Sequence, residues 1–142
     1  MSVENGSKHF ICDALLELKE LQDLISDLTS KYYGQLLLKI IGVDTIPFLL
    51  IKINGEHLSL IDMENQFETK CFRIESIDQE RCNGTVSLLR AFDFEGYDTD
   101  LIDEVVRLEK TKVKRVIDLK SISAIQLLNP NLLCRKIIIE PK

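Results

Sequence analysis

The chain has 142 residues, 45% hydrophobic and 29% charged, with a formal net charge of -5. That length suits one compact domain with a real core and is too short for two ordinary ones. An acidic balance argues against nucleic acid, which needs a clustered basic surface, and the longest apolar stretches, residues 36–41 and 46–51, fall far short of the roughly 18 residues that cross a bilayer.

Residues 1–8 are polar and lack the apolar run of a secretory leader. They are expected to be a loose N-terminus, and the protein is expected to begin in a cytosol. Residues 9–34 follow as a helical unit. In it Ile11, Leu15, Leu18, Leu21, Ile25 and Leu28 recur at steps of three and four, the period of one helix face. Glu17, Glu20, Asp23 and Asp27 take the opposite side, and Gly34 supplies a stop. Leu16 and Leu24 fall off the stripe, which marks them as candidates for contact with a second partner.

From residue 35 to 142 the texture is that of a β domain: short runs rich in Ile, Val, Leu and Thr between turn signals. Asn54-Gly55 separates a strand at 46–53 from one at 56–61, and Asn83-Gly84 separates 71–77 from 85–90. Both pairs tolerate the positive φ of a tight hairpin turn. Pro47 cannot donate to a ladder, so it marks a strand start, an edge or a bulge. Further strands are expected at 113–119, 122–128 and 133–139, while 99–109 reads either as a short helix or as an irregular strand. The fold class is therefore mainly β with one N-terminal α-helix. Its strands, six to eight in number, form an antiparallel β sandwich or a partly open barrel.

Lys110, Lys112, Lys114, Arg115 and Lys120 make the one locally basic segment, read as the solvated side of a strand. The four cysteines, Cys12, Cys71, Cys82 and Cys134, are spaced too widely for a zinc ribbon or a thioredoxin-like pair. His9 could share a helix turn with Cys12, but no second ligand pair accompanies them, and neither a metal nor any other cofactor is expected. Cys12 lies away from the Leu18 and Ile25 stripe and is expected to face solvent or a partner. Cys71 alternates with Phe72 and Ile74 and is expected on the outward face. Cys71 and Cys82 sit too far apart along one hairpin to bridge each other. Residue statistics alone favour buried, free thiols over cross-linking ones.

The short motifs of hydrolases, nucleotide-binding loops and zinc proteases are absent, and no catalytic residue is assigned. A thiol enzyme would need His57 beside Cys71 or Cys82. Asp98, Asp100, Asp103 and Glu104 lack the spacing of a calcium loop and read as a solvated acidic loop. Asn83-Gly84-Thr85 has the form of a glycosylation acceptor, but it reads as a turn.

Several segments, in order, resemble the spore coat protein Y/Z family. They are His9 to Leu16 with Glu20 to Asp23, Gly42 to Leu49, Cys71 to Ser76, Cys82 to Leu89, Leu108 to Thr111, and Asp118 to Leu128. In the last of these, Asp118, Leu119, Ala124, Ile125 and Gln126 follow the family pattern, while Ser121, Ser123 and Leu127 stand where the family carries cysteines. The resemblance implies a non-enzymatic structural protein of the spore surface, in the exosporium or outer coat, made in the mother-cell cytoplasm without a signal peptide. It implies self-association into an oligomer or two-dimensional lattice, and contact with other coat or exosporium proteins or with surface appendages. It also reverses the reading of the thiols, making Cys12, Cys71, Cys82 and Cys134 candidates for intermolecular cross-links. The missing cysteines imply fewer links than in other members, which suits an adaptor that tethers an appendage or another coat protein.

Overall fold

The computed structural model describes residues 3–30, 45–128 and 138–140, with side chains for 10–24 and 45–128. Gly34, Cys134 and most of the strand expected at 133–139 lie outside the described residues.

Among the described residues, one long helix, α1 (Val3–Ser30), precedes eight strands. These are β1 (Phe48–Lys52), β2 (Leu60–Asp62), β3 (Phe67–Thr69), β4 (Phe72–Asp78), β5 (Asn83–Phe92), β6 (Arg107–Asp118), β7 (Ile122–Leu127) and β8 (Ile138–Glu140). Six of them form one sheet in the order β7-β1-β4-β5-β6-β8, and β2 and β3 form a small second sheet. The pairings of the main sheet are antiparallel except that β8 lies parallel to β6 at one edge. The protein is thus mainly β with one helix, as the sequence predicts, and the sheet does not close into a barrel. The helix begins at Val3, inside the segment expected to be loose.

The sheet has apolar residues on both faces. On one face α1 packs Ile11, Leu15 and Leu18 against Phe48, Leu50, Phe72, Ile74, Val86 and Leu88. On the other, Leu49, Cys71, Leu89, Ala91 and Leu108 are covered by Val105 and Ile102. Val105 follows a 3-10 turn at Ile102–Glu104, so the ambiguous 99–109 segment is a short turn leading into β6.

Two local expectations are corrected by packing. The helix buries Gln22 in place of Leu21, which is exposed. At about 3.6 residues per turn, position 22 returns closer to the Ile11, Leu15 and Leu18 stripe than position 21 does. The buried amide is satisfied: Gln22 Nε2 donates to the Ile74 carbonyl (3.0 Å), and the Ile46 N–H donates to Gln22 Oε1 (3.3 Å).

The second correction concerns Asn83-Gly84, which forms the start of β5 instead of the hairpin turn. Asp78 pairs with Asn83 and Ile77 with Gly84, so the turn comprises residues 79–82, and Cys82 takes the positive φ of 53°. Gly84 serves close packing: a Cβ there would sit 3.2 Å from Ile77 Cδ1 and 3.5 Å from Leu119 Cδ1. Asn54-Gly55, by contrast, does form a turn. Gly55 has φ 89°, its N–H donates to the Lys52 carbonyl (2.9 Å), and the chain continues through an Ile51–His57 bridge.

Candidate functional site: thiols, an edge strand and an aromatic tip

Cys12, near the middle of α1, and Cys82, at the end of the β4–β5 turn, are joined by a disulfide with a Cα–Cα distance of 5.8 Å. Both are buried. Cys12 therefore does not face solvent, contrary to its expected place off the stripe. It lies on the flank of the stripe, and the β4–β5 turn folds over that flank and encloses it.

Cys71 is also buried, at 1% exposure. The alternation with Phe72 and Ile74 is correct, but the opposite face carries the second core instead of solvent at this point. Burial pushes the Cys71 thiol up from 9.0 to about 12, against smaller opposing effects of a Thr69 hydrogen bond and the Lys70 charge. Such a thiol stays protonated near neutrality and is a poor nucleophile. Cys71 and Cys82 do not bridge each other: Cys82 is taken by Cys12, and Cys71 is free.

His57 Nε2 donates to Gln126 Oε1 at 3.0 Å, so among the described residues the imidazole meets an amide and not a cysteine. Farther along that second face, Arg73 donates to Thr45 Oγ1 (3.0 Å) and Glu75 (2.8 Å), and Ser87 Oγ donates to Glu75 (2.8 Å). Glu75 and Arg73 are thereby held as partners within the fold. Asp98, from the acidic loop, receives two bonds from Arg90 at 2.7 and 3.0 Å, and that hydrogen bonding raises the Arg90 pKa further. The Arg90 guanidinium also lies over Phe67 and Phe92, with centroids 5.0 and 5.5 Å away, and Arg107 stacks on the same Phe92 at 4.0 Å.

The stretch that carries the family pattern runs from the end of β6 at Asp118 through a 3-10 turn at Leu119–Ser121 into β7, an outer strand of the sheet. Its register on β1 places Gln126 opposite Leu49 and Ala124 opposite Ile51, and the Leu128 N–H donates to the Pro47 carbonyl at 3.2 Å. Antiparallel ladders bond through alternate residues, so Leu128, Gln126 and Ala124 bond inward. The backbone N–H and C=O groups of Ile125 and Leu127 point away from β1, while the register shifts at Ser123, whose hydroxyl donates to the Ile51 (3.2 Å) and Lys52 (3.1 Å) carbonyls. Among the described residues no strand pairs with that row. Ile122–Leu127 contains no charge or proline, and of the usual devices that protect an edge it carries a bulge near its start, where the register shifts opposite Ile51 and Lys52. Ser121, Ser123 and Leu127, the positions where the family carries cysteine, are all exposed.

Of the helix candidates, Leu16 is half-buried and Leu24 is exposed. Residue patterning missed a further exposed group. The loop after β5 presents Phe94 at 88% and Tyr97 at 69% exposure. The signal was an aromatic pair flanking Glu95-Gly96 within an acidic, turn-forming stretch.

The described residues form an open sheet stapled to a helix, with β7 at one edge and exposed aromatic side chains on the loop after β5. The chain is 35% identical over 101 residues to spore coat protein Z of Bacillus subtilis (strain 168), an alignment covering 65% of this chain and 68% of that protein. It belongs to the spore coat protein family that includes spore coat protein Z. No family model matches the chain, and no solved structure matches it.

Proposed function

We propose that the protein is a structural component of the spore surface, in the exosporium or outer coat, that self-associates and helps assemble or anchor the outer layer. The likeness to spore coat protein Z supports the location. The observation that carries self-association is β7, an uncharged edge strand whose outward row of backbone groups fits addition of a strand from another copy. With Cys12 and Cys82 bonded to each other and Cys71 enclosed, the reading rests on noncovalent contacts in place of cross-links through these three thiols.

Electron microscopy and sedimentation of the purified chain, with and without reductant, test it. Ordered or oligomeric species are expected in both conditions, and Leu127→Lys, which places a charge at the β7 edge, is expected to reduce them. A strictly monomeric wild type in both conditions would overturn self-association. Immunogold labelling of spores, with loss of an outer layer when the protein is missing, tests the location.

A second reading is supported by the outer side of α1, where Phe10, Leu21 and Leu24 are exposed. An apolar helix face of this kind suits an adaptor that holds an appendage or another coat protein. Under this reading Leu24→Glu abolishes attachment of the tethered component while leaving oligomer size unchanged.

A further inference from the structure

The Phe94–Tyr97 loop is tied by hydrogen bonds that hold its exposed aromatics outward. Asp93 Oδ1 accepts the N–H groups of Glu95 (2.9 Å) and Tyr97 (3.0 Å), the Asp93 N–H donates to the Tyr97 carbonyl (2.8 Å), and Phe92 bridges Asp98. A large apolar side chain held out on a fixed loop costs little further entropy when a partner covers it. Beside Phe94 lies a recess of about 200 Å³ lined by Asp93, Phe94, Glu95 and Glu104. An aromatic wall and carboxylates at one recess match a lysine, whose stem packs on the ring while its ammonium meets the acids.

The same chain carries the complementary surface. Beyond Glu109, β6 has no strand neighbour on its outer side among the described residues, because β8 pairs only with Arg107, Leu108 and Glu109. Along that stretch Lys112, Lys114 and Val116 alternate onto one face and are exposed, Val116 at 69%. Lysines on an edge discourage simple strand addition, and carboxylates are what such a row accepts. A chain cannot satisfy its own row. Phe92 pairs with Arg107, so the tip lies beyond that pair, while Lys114 lies roughly 23 Å along β6 from Arg107 at the strand rise.

We infer that copies of the chain meet head to tail, with the Phe94 tip and its Glu95 and Glu104 carboxylates seated on the Lys112–Lys114–Val116 row of the next copy. The inference rests on the self-association proposed above and assigns it a second contact. Strand pairing at β7 is self-complementary and closes on itself in pairs, whereas a tip-to-row contact is heterologous and propagates. The two use opposite sides of the sheet, so together they extend an assembly in more than one direction.

Sedimentation velocity of the full chain between about 0.05 and 0.5 M salt tests the contact, with folding of each variant checked by circular dichroism. Wild-type assembly is expected to weaken as salt rises. Lys112→Glu/Lys114→Glu and Glu95→Lys/Glu104→Lys are each expected to lower the association constant roughly tenfold or more, and an equimolar mixture of the two is expected to restore it. Phe94→Ser lowers it without altering charge. If wild type assembles and the folded variants assemble equally well, the tip-to-row contact is wrong while self-association stands. If wild type is monomeric throughout, self-association fails and this contact fails with it.

Discussion

Cys12 and Cys82, separated by 70 residues in the chain, are covalently joined across the interface between α1 and the β4–β5 turn. The bond closes a loop that contains β1 to β4, so it limits the unfolded ensemble somewhat more than a local link would. A loop of this length is worth about 4 kcal/mol in the chain-entropy model. Cys12→Ser/Cys82→Ser is expected to lower stability by about 2–5 kcal/mol. Denaturant unfolding with and without reductant checks this: reductant should shift the wild-type midpoint toward that of the double variant and leave the variant unchanged.

Gln22 is the second anchor of the helix, with its amide bonded to Ile74 and Ile46. Gln22→Leu leaves a buried carbonyl without its donor and should cost about 1–3 kcal/mol. Gln22→Glu should cost more at neutral pH, because a carboxylate would face the Ile74 carbonyl in a dry site, and should recover partly on acidification. Thermal melts at two pH values measure the ranking.

The raised Cys71 pKa has a definite pH signature. Below 9.0 the thiol is protonated in both folded and unfolded states, and the stability associated with its burial is fully present. Between 9.0 and about 12 the unfolded chain loses the proton while the folded chain keeps it. Stability therefore falls as pH rises, by up to about 1.4 kcal/mol per pH unit. Urea melts of wild type and Cys71→Ala from pH 8 upward should show a steeper decline for wild type. Maleimide labelling of the native protein should leave Cys71 unmodified until the chain unfolds.

Gly84 faces Ile77 and Leu119 closely enough that substitution should grade with size. Gly84→Ala is expected to be near neutral, because the Ile77 terminal methyl is half-buried and can give way. Gly84→Val should cost about 1–3 kcal/mol through overpacking. Equilibrium unfolding of the pair tests the ordering.

Much of the architecture was legible because burial imposes simple periods. Ile11, Leu15 and Leu18 showed the helix face, Phe72 and Ile74 showed the inner face of β4, and Ile122 to Leu128 read as a strand. The period also misled at Leu21, since an apolar residue at a helical step cannot announce that a neighbouring glutamine finds two backbone partners across space. Cys71 was assigned the right face and the wrong environment, because alternation distinguishes two faces without saying that Val105 and Ile102 return to cover the second.

The candidate surfaces divide in the same way. The composition of β7 was readable, but its position at an edge depends on strand order, which no local pattern encodes. Phe94 and Tyr97 became conspicuous only when the Asp93 hydrogen bonds showed them held outward.

The sequence by itself determined the single helix, the β texture, the family pattern from Asp118 to Leu128 and the loss of cysteine at Ser121, Ser123 and Leu127. These are local properties, set by residue type and spacing. Tertiary structure alone decided that Cys12 meets Cys82, that Cys71 is enclosed and that β7 is an outer strand among the described residues. Each of those depends on contacts between segments far apart in the chain, made when the helix and the 99–106 segment pack onto opposite faces of one sheet.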